Sequence, residues 1–125
     1  GVKRVFFCAV LVTLSFTVRD SPTLIADIDR GSIMSSGEVV VEAGTGIVRQ
    51  TTLRAKSGPL LLELITTYRA DDRLRMWVPS LFRERYERGG APRTMQSGVE
   101  YVLLECEARY TNFRRFESSA RLKPA

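Results

Sequence analysis

Glu38-Val-Val-Val-Glu-Ala-Gly-Thr-Gly-Ile-Val-Arg-Gln-Thr-Thr-Leu53 places two β-branched runs on either side of Gly44-Thr45-Gly46, and its reading decides the fold class. Val, Ile and Thr are stiff at χ1 and pack well on a pleated surface. A short glycine-bearing connection between two such runs is a hairpin signature, because glycine takes the positive φ values that tight turns demand. The expected elements are a strand over residues 38–43, a turn, and a second strand over residues 47–55.

The pattern continues towards the C-terminus. Ser57-Gly58-Pro59 makes the next turn, and residues 60–69 alternate Leu60, Leu62, Leu64 and Tyr68 against Glu63, Thr67 and Arg69. Asp71-Asp72-Arg73 forms a tight connection. Residues 74–78 are strand-like as far as Pro79, which removes a ladder donor and marks an edge or a bulge. Residues 80–88 fit either a short helix capped by Ser80 or a strand that continues past the bulge, and the strand is preferred. Residues 89–92, Gly-Gly-Ala-Pro, read as a loop tip. From Val99 a strand is expected to run to about Phe116, with Val102, Leu104, Cys106, Ala108 and Tyr110 on one side. Leu103, Glu105, Glu107, Arg109 and Thr111 take the other, and a last short strand is expected at Leu122.

Towards the N-terminus, Val10, Val12, Leu14, Phe16 and Val18 alternate with Thr13, Ser15 and Thr17, a half-buried strand. Residues 19–22 break it, residues 23–26 form a short extended piece, and residues 27–37 read as a polar loop. Lys3-Arg4 ahead of an apolar run resembles the start of a secretory signal, but the run is too short to span a bilayer and no small-residue cleavage site follows. A chain that opens inside a strand, with Gly1 first, is read as the C-terminal part of a longer protein.

Hairpin-length connections imply antiparallel order, and alternation implies one apolar and one wet face. No long amphipathic helix is present to cover the apolar face. The expected architecture is all-β: one domain over residues 1–125, a single strongly bent antiparallel sheet of about six or seven strands, with at most one short helix. Such a sheet must curl on itself, dimerise, or hold an apolar ligand.

The chain has 125 residues and a net charge of +5, carried almost wholly by arginine, with acids interspersed among the arginines. That mixture reads as a solvated surface rather than a nucleic-acid stripe. There is no histidine, which removes the commonest general base and metal ligand. Cys8 and Cys106 form no Cys-x-x-Cys motif, Asp27, Asp29, Asp71 and Asp72 are too sparse for a calcium loop, and neither a metal nor a cofactor is expected. Both cysteines fall on the apolar side of their strands and are expected to be buried, unbridged thiols. Glu105 and Glu107 share the wet side, so paired-carboxylate catalysis is not expected. Arg109-Tyr-Thr-Asn-Phe-Arg-Arg-Phe116 interleaves cations with aromatics, as single-strand nucleic-acid binders do. Contacts through Arg109, Arg114 and Arg115 are nevertheless disfavoured, because the two glutamates lie just upstream.

Pro22-Thr-Leu-Ile25, residues 37–49, Trp77-Val-Pro79, Glu84-Arg-Tyr86 and residues 110–116 together resemble an uncharacterised group of bacterial secreted proteins, over about residues 10–122. The strand–Gly-Thr-Gly–strand element is similar to the wider LolA-like class of periplasmic lipoprotein carriers and lipoprotein-sorting proteins. The resemblance implies an unclosed half-barrel whose concave face takes acyl chains, a periplasmic or secreted location, and no catalytic residues. The lid helices of a full carrier are missing, which fits the C-terminal sheet of such a protein.

The expected function is a non-enzymatic binding module for an apolar or lipidated ligand, with Val12, Leu14, Phe16, Leu62, Leu64, Val102, Leu104 and Tyr110 lining the concave face. The alternative is a structural or assembly domain that docks a partner, a missing N-terminal domain or its own copy through that face.

Overall fold

The computed structural model describes residues 9–18, 25–27, 31–89 and 101–124, the side chains of Ala26 and Asp27 excepted. Within them lie β1 (Leu11–Val18), β2 (Ile25–Asp27), β3 (Gly31–Ile33), β4 (Ser35–Glu42), β5 (Val48–Ser57), β6 (Leu60–Asp71), β7 (Met76–Arg88) and β8 (Val102–Arg109), and no helix. Six strands form one sheet in the order β1-β4-β5-β6-β7-β8, while β2 and β3 form a separate two-stranded ribbon. Every pairing is antiparallel. The all-β, antiparallel expectation therefore holds at the level of one open six-stranded ladder. Lys3-Arg4, Cys8, the turn at residues 19–22 and the loop tip at residues 90–92 lie outside the described residues.

The opening hairpin is built locally. Gly46 takes φ +70, a region costly for side chains that carry a Cβ. Its N–H donates to the Glu42 carbonyl at 2.8 Å, and the Glu42 N–H donates to the Ile47 carbonyl at 2.9 Å. Thr45 fills the turn, its hydroxyl donating to Glu42 Oε2 at 3.0 Å and accepting from the Ile47 N–H at 3.2 Å. The next hairpin closes on Ser57 and Leu60 with only Gly58 and Pro59 between them.

Residues 80–88 are strand. Pro79 is accommodated by a bulge: Leu81 pairs with Thr67 and Pro79 with Tyr68, leaving Ser80 as the extra residue. The Ser80 hydroxyl donates to the Thr67 carbonyl at 3.0 Å. The strand continues because each residue on either side of the bulge still finds a partner on β6.

Three expectations are corrected. Residues 27–37 are not simply a loop, since β3 and the first residues of β4 lie there. Ile33, Ser35 and Gly37 are buried while Ser32, Met34 and Ser36 are exposed. The alternation is real, but small polar residues carry it and hide it. Next, the last long strand stops at Arg109 and does not reach Phe116. The Tyr110 N–H still donates to the Ser80 carbonyl at 3.1 Å, but Asn112 takes φ +57 and turns the chain out of the ladder. Finally, Leu122 forms no strand and is 94% exposed.

The core is thin. Among the described residues only Ile33, Ala55 and Val78 are buried apolar side chains, and no large side chain is fully buried. No helix among the described residues is long and apolar enough to cross a membrane.

Candidate functional site

Strand register sorts the side chains into two unlike faces, since residues directly opposite one another point the same way. One face carries the rows Leu14–Val39–Thr51–Thr66–Phe82–Ala108, Phe16–Gly37–Leu53–Leu64–Glu84–Cys106 and Val18–Ser35–Ala55–Leu62–Tyr86–Leu104. It is mostly apolar, with Ser35, Thr51, Thr66 and Glu84 as its polar exceptions in these rows. The other carries Ser15–Glu38–Thr52–Ile65–Arg83–Glu107 and Thr17–Ser36–Arg54–Glu63–Arg85–Glu105, rows dominated by charge and hydroxyls.

The charged face is laced across strands. Arg54 bridges Glu63 on β6 at 2.8 Å and Glu38 on β4 at 3.7 Å. Arg83 reaches Glu107 at 3.2 Å, Arg85 reaches Glu105 at 3.7 Å, and Arg109 reaches Glu107 at 2.6 Å. The Arg83 hydrogen bond holds the Glu107 carboxyl below the usual range, aided by Arg109, and the Glu63 hydrogen bond raises Arg54. A groove of about 410 Å³ runs along this face beside Met34, Leu61, Arg54 and Arg85. Its two arginines are already paired, with Glu63 and Glu87 of the same lining.

The apolar face has no such internal satisfaction. Leu14 is 54% exposed and Leu104 51%, and Val12, Phe16 and Val102 are also exposed. Leu62 and Leu64, on the central β6, are half-buried. Seven of the eight residues expected to line a concave face thus lie on one face by register. They do not form one tight cluster: β1 and β8 are five inter-strand steps apart, about 24 Å along a flat sheet at ~4.8 Å per step. Tyr110 lies beyond the end of β8 and is exposed.

Sequence reading missed Ile25 and Ile33. With Ala55, Ser57, Leu60, Leu62 and Tyr86 these line a cavity of about 300 Å³ between the β2–β3 ribbon and the apolar face. Glu84, the one acid in the rows of that face, hydrogen-bonds the Tyr86 phenol and pushes its pKa up, with burial second. The alternation of Ile33 with Ser32 and Met34 was the available signal for the ribbon.

Cys106 corrects the expectation of a buried thiol, being free and exposed. Its parity is as read, on the apolar face, but β8 is an edge strand and nothing described covers it. Cys8 lies outside the described residues. Arg109 and Arg115 are engaged by Glu107 and Glu117, which leaves only Arg114 of the three suggested nucleic-acid contacts without an ion pair among the described residues. No three metal-ligating side chains converge among the described residues. Compared with protein-family models, curated proteins and solved structures, the chain matches none of them.

Proposed function

We propose that the protein is a non-enzymatic binding module whose apolar sheet face takes an acyl chain or similarly apolar ligand. The observation that carries this reading is the asymmetry of the sheet. One face satisfies its charges across strands, with Leu61 and Leu103 also exposed there. The other leaves Leu14, Phe16, Val102 and Leu104 exposed, with Glu84 the one acid in its Leu14, Phe16 and Val18 rows. Exposed apolar side chains grouped on one face are characteristic of interaction sites. In this reading the sheet is a strongly bent half-barrel with the apolar face concave, as in the LolA-like carriers, working in the periplasm or outside the cell. The cavity under the β2–β3 ribbon is the natural seat for the end of the ligand. The absence of histidine from the chain, and the pairing of wet-face glutamates with arginine, support a binding role over a catalytic one.

The test is titration of the monodisperse protein with cis-parinaric acid, read by fluorescence. Saturable binding is expected. A linear, non-saturating response equal to that of an unrelated protein overturns the reading.

One observation favours an assembly role instead. The edge strand β1 reads Leu-Val-Thr-Leu-Ser-Phe-Thr-Val, without a charge, proline or bulge, and such edges pair readily with further strands. Light scattering separates the two, because a stable dimer near twice 14.1 kDa that takes up no fatty acid selects assembly.

A further inference from the structure

We propose that the cleft at the β6–β7 turn binds a phosphoryl group, as a phosphomonoester or diphosphate, on Arg69, Arg73 and Arg114. The site is separate from the apolar face and does not rest on the reading above. These arginines, with Asp71, Asn112 and Phe113, line a cleft of about 480 Å³.

Arg69, Arg73 and Arg114 carry no ion pair among the described residues, as is also true of Arg75, Arg88 and Arg121, but the first three line one cleft together. Arg49, Arg54, Arg83, Arg85, Arg109 and Arg115 all have a carboxylate partner. The three in the cleft have none among the described residues, although Asp71 lines the same space. That carboxylate has one oxygen committed to the backbone, where Asp71 Oδ1 accepts the Leu74 N–H at 3.0 Å and shapes the turn.

The cleft is also assembled from afar. Arg114 arrives from the segment after β8, which is tied down by the Tyr110 N–H on the Ser80 carbonyl and by Arg73 on the Phe113 carbonyl. Between those ties Asn112 takes φ +57, a conformation that asparagine tolerates better than most residues. The turn therefore sets Arg114 beside two arginines some forty residues earlier in the chain. Three guanidiniums outnumber the single carboxylate of Asp71 in the cleft, so the arrangement favours an anion.

The charge count selects the anion. Three guanidiniums against Asp71 leave a net charge of +2 around the cleft. A phosphomonoester carries about −1.5 to −2 at neutral pH and offers three strong acceptor oxygens. Guanidinium forks match such oxygens in pairs.

The experiment uses the whole chain in low salt, with two probes: inorganic diphosphate by calorimetry, and co-sedimentation with vesicles of phosphatidylcholine with or without phosphatidic acid. Saturable binding of either probe is expected. Arg114→Gln and Arg69→Gln should each weaken it about tenfold, equivalent to about 1.4 kcal/mol. Arg88→Gln, an exposed β7 arginine outside the cleft, should leave it unchanged. Diphosphate binding assigns the site to small phosphorylated ligands; binding to phosphatidic acid vesicles alone assigns it to a lipid headgroup. If neither probe binds, or if Arg88→Gln weakens binding as much as Arg114→Gln does, the proposal is wrong. Because Arg69 and Arg114 are exposed and carry no ion pair among the described residues, their substitution is expected to leave the fold intact, which circular dichroism checks.

Discussion

Gly37 and Phe16 face one another across β4 and β1, and the ring fills the space that glycine leaves. A Cβ at position 37 would collide with the Thr52 carbonyl oxygen and approach Phe16 Cζ to 2.7 Å. Backbone cannot yield as a flexible side chain does, so Gly37→Ala should cost about 1–3 kcal/mol, the range for overpacked sites. Thermal melts check this, and an unchanged Tm would refute the steric account. Nearby Ser35 is the opposite case: its hydroxyl is buried with no hydrogen-bond partner among the described residues. An unsatisfied buried hydroxyl is a cost, so Ser35→Ala should be neutral or stabilising by about 1 kcal/mol. A clear loss in denaturant melts would mean that the hydroxyl has a partner. At Cys106 the thiol is exposed, and Ellman's reagent should modify it in the native protein. Peptide mapping identifies the site, and protection until denaturant is added would restore the buried-thiol expectation.

At the scale of elements, the charged face shows why interspersed arginines and acids were readable as surface but not as a ladder. Glu63 and Arg54 are nine positions apart in sequence and meet only because the Gly58-Pro59 loop sets their register. Glu107 and Arg83 meet only because β7 and β8 pair. Glu107, held low mainly by Arg83, favours its charged form in the folded protein. Its contribution is present above the ordinary glutamate pKa and is lost as pH falls through the depressed value. Unfolding midpoints should therefore drop between roughly pH 5 and 3, and Glu107→Gln should flatten that slope. The effect is modest because the pair is exposed to water. An identical slope in the variant would rule out this carboxylate as a source. Strand parity was legible along β1, β6 and β8, including the wet side of Glu105 and Glu107, but not through residues 31–37. Strand ends were not, because the αL turn at Asn112 that ends β8 leaves no apolar signature.

For the molecule as a whole, the governing fact is a six-stranded sheet with one unsatisfied face. Leu14 and Leu104 lie near its opposite edges, each about half exposed, so the double variant Leu14→Gln/Leu104→Gln should fold normally. It should also lose most of its cis-parinaric acid binding, or its self-association if that is what covers the face. Retention of both would place the functional surface elsewhere. Local chemistry in the chain determined the all-β class, the antiparallel order and the division into apolar and wet faces. Side-chain alternation and turn-forming residues act over a few positions and need no distant partner to be read. Only the tertiary structure decided that the β2–β3 ribbon stands over Ala55 and Leu62, that Cys106 lies on an edge open to water, and that Arg114 joins Arg69 and Arg73. Each of these depends on which strands become neighbours and where the ladder stops, and loop closure sets that over tens of residues.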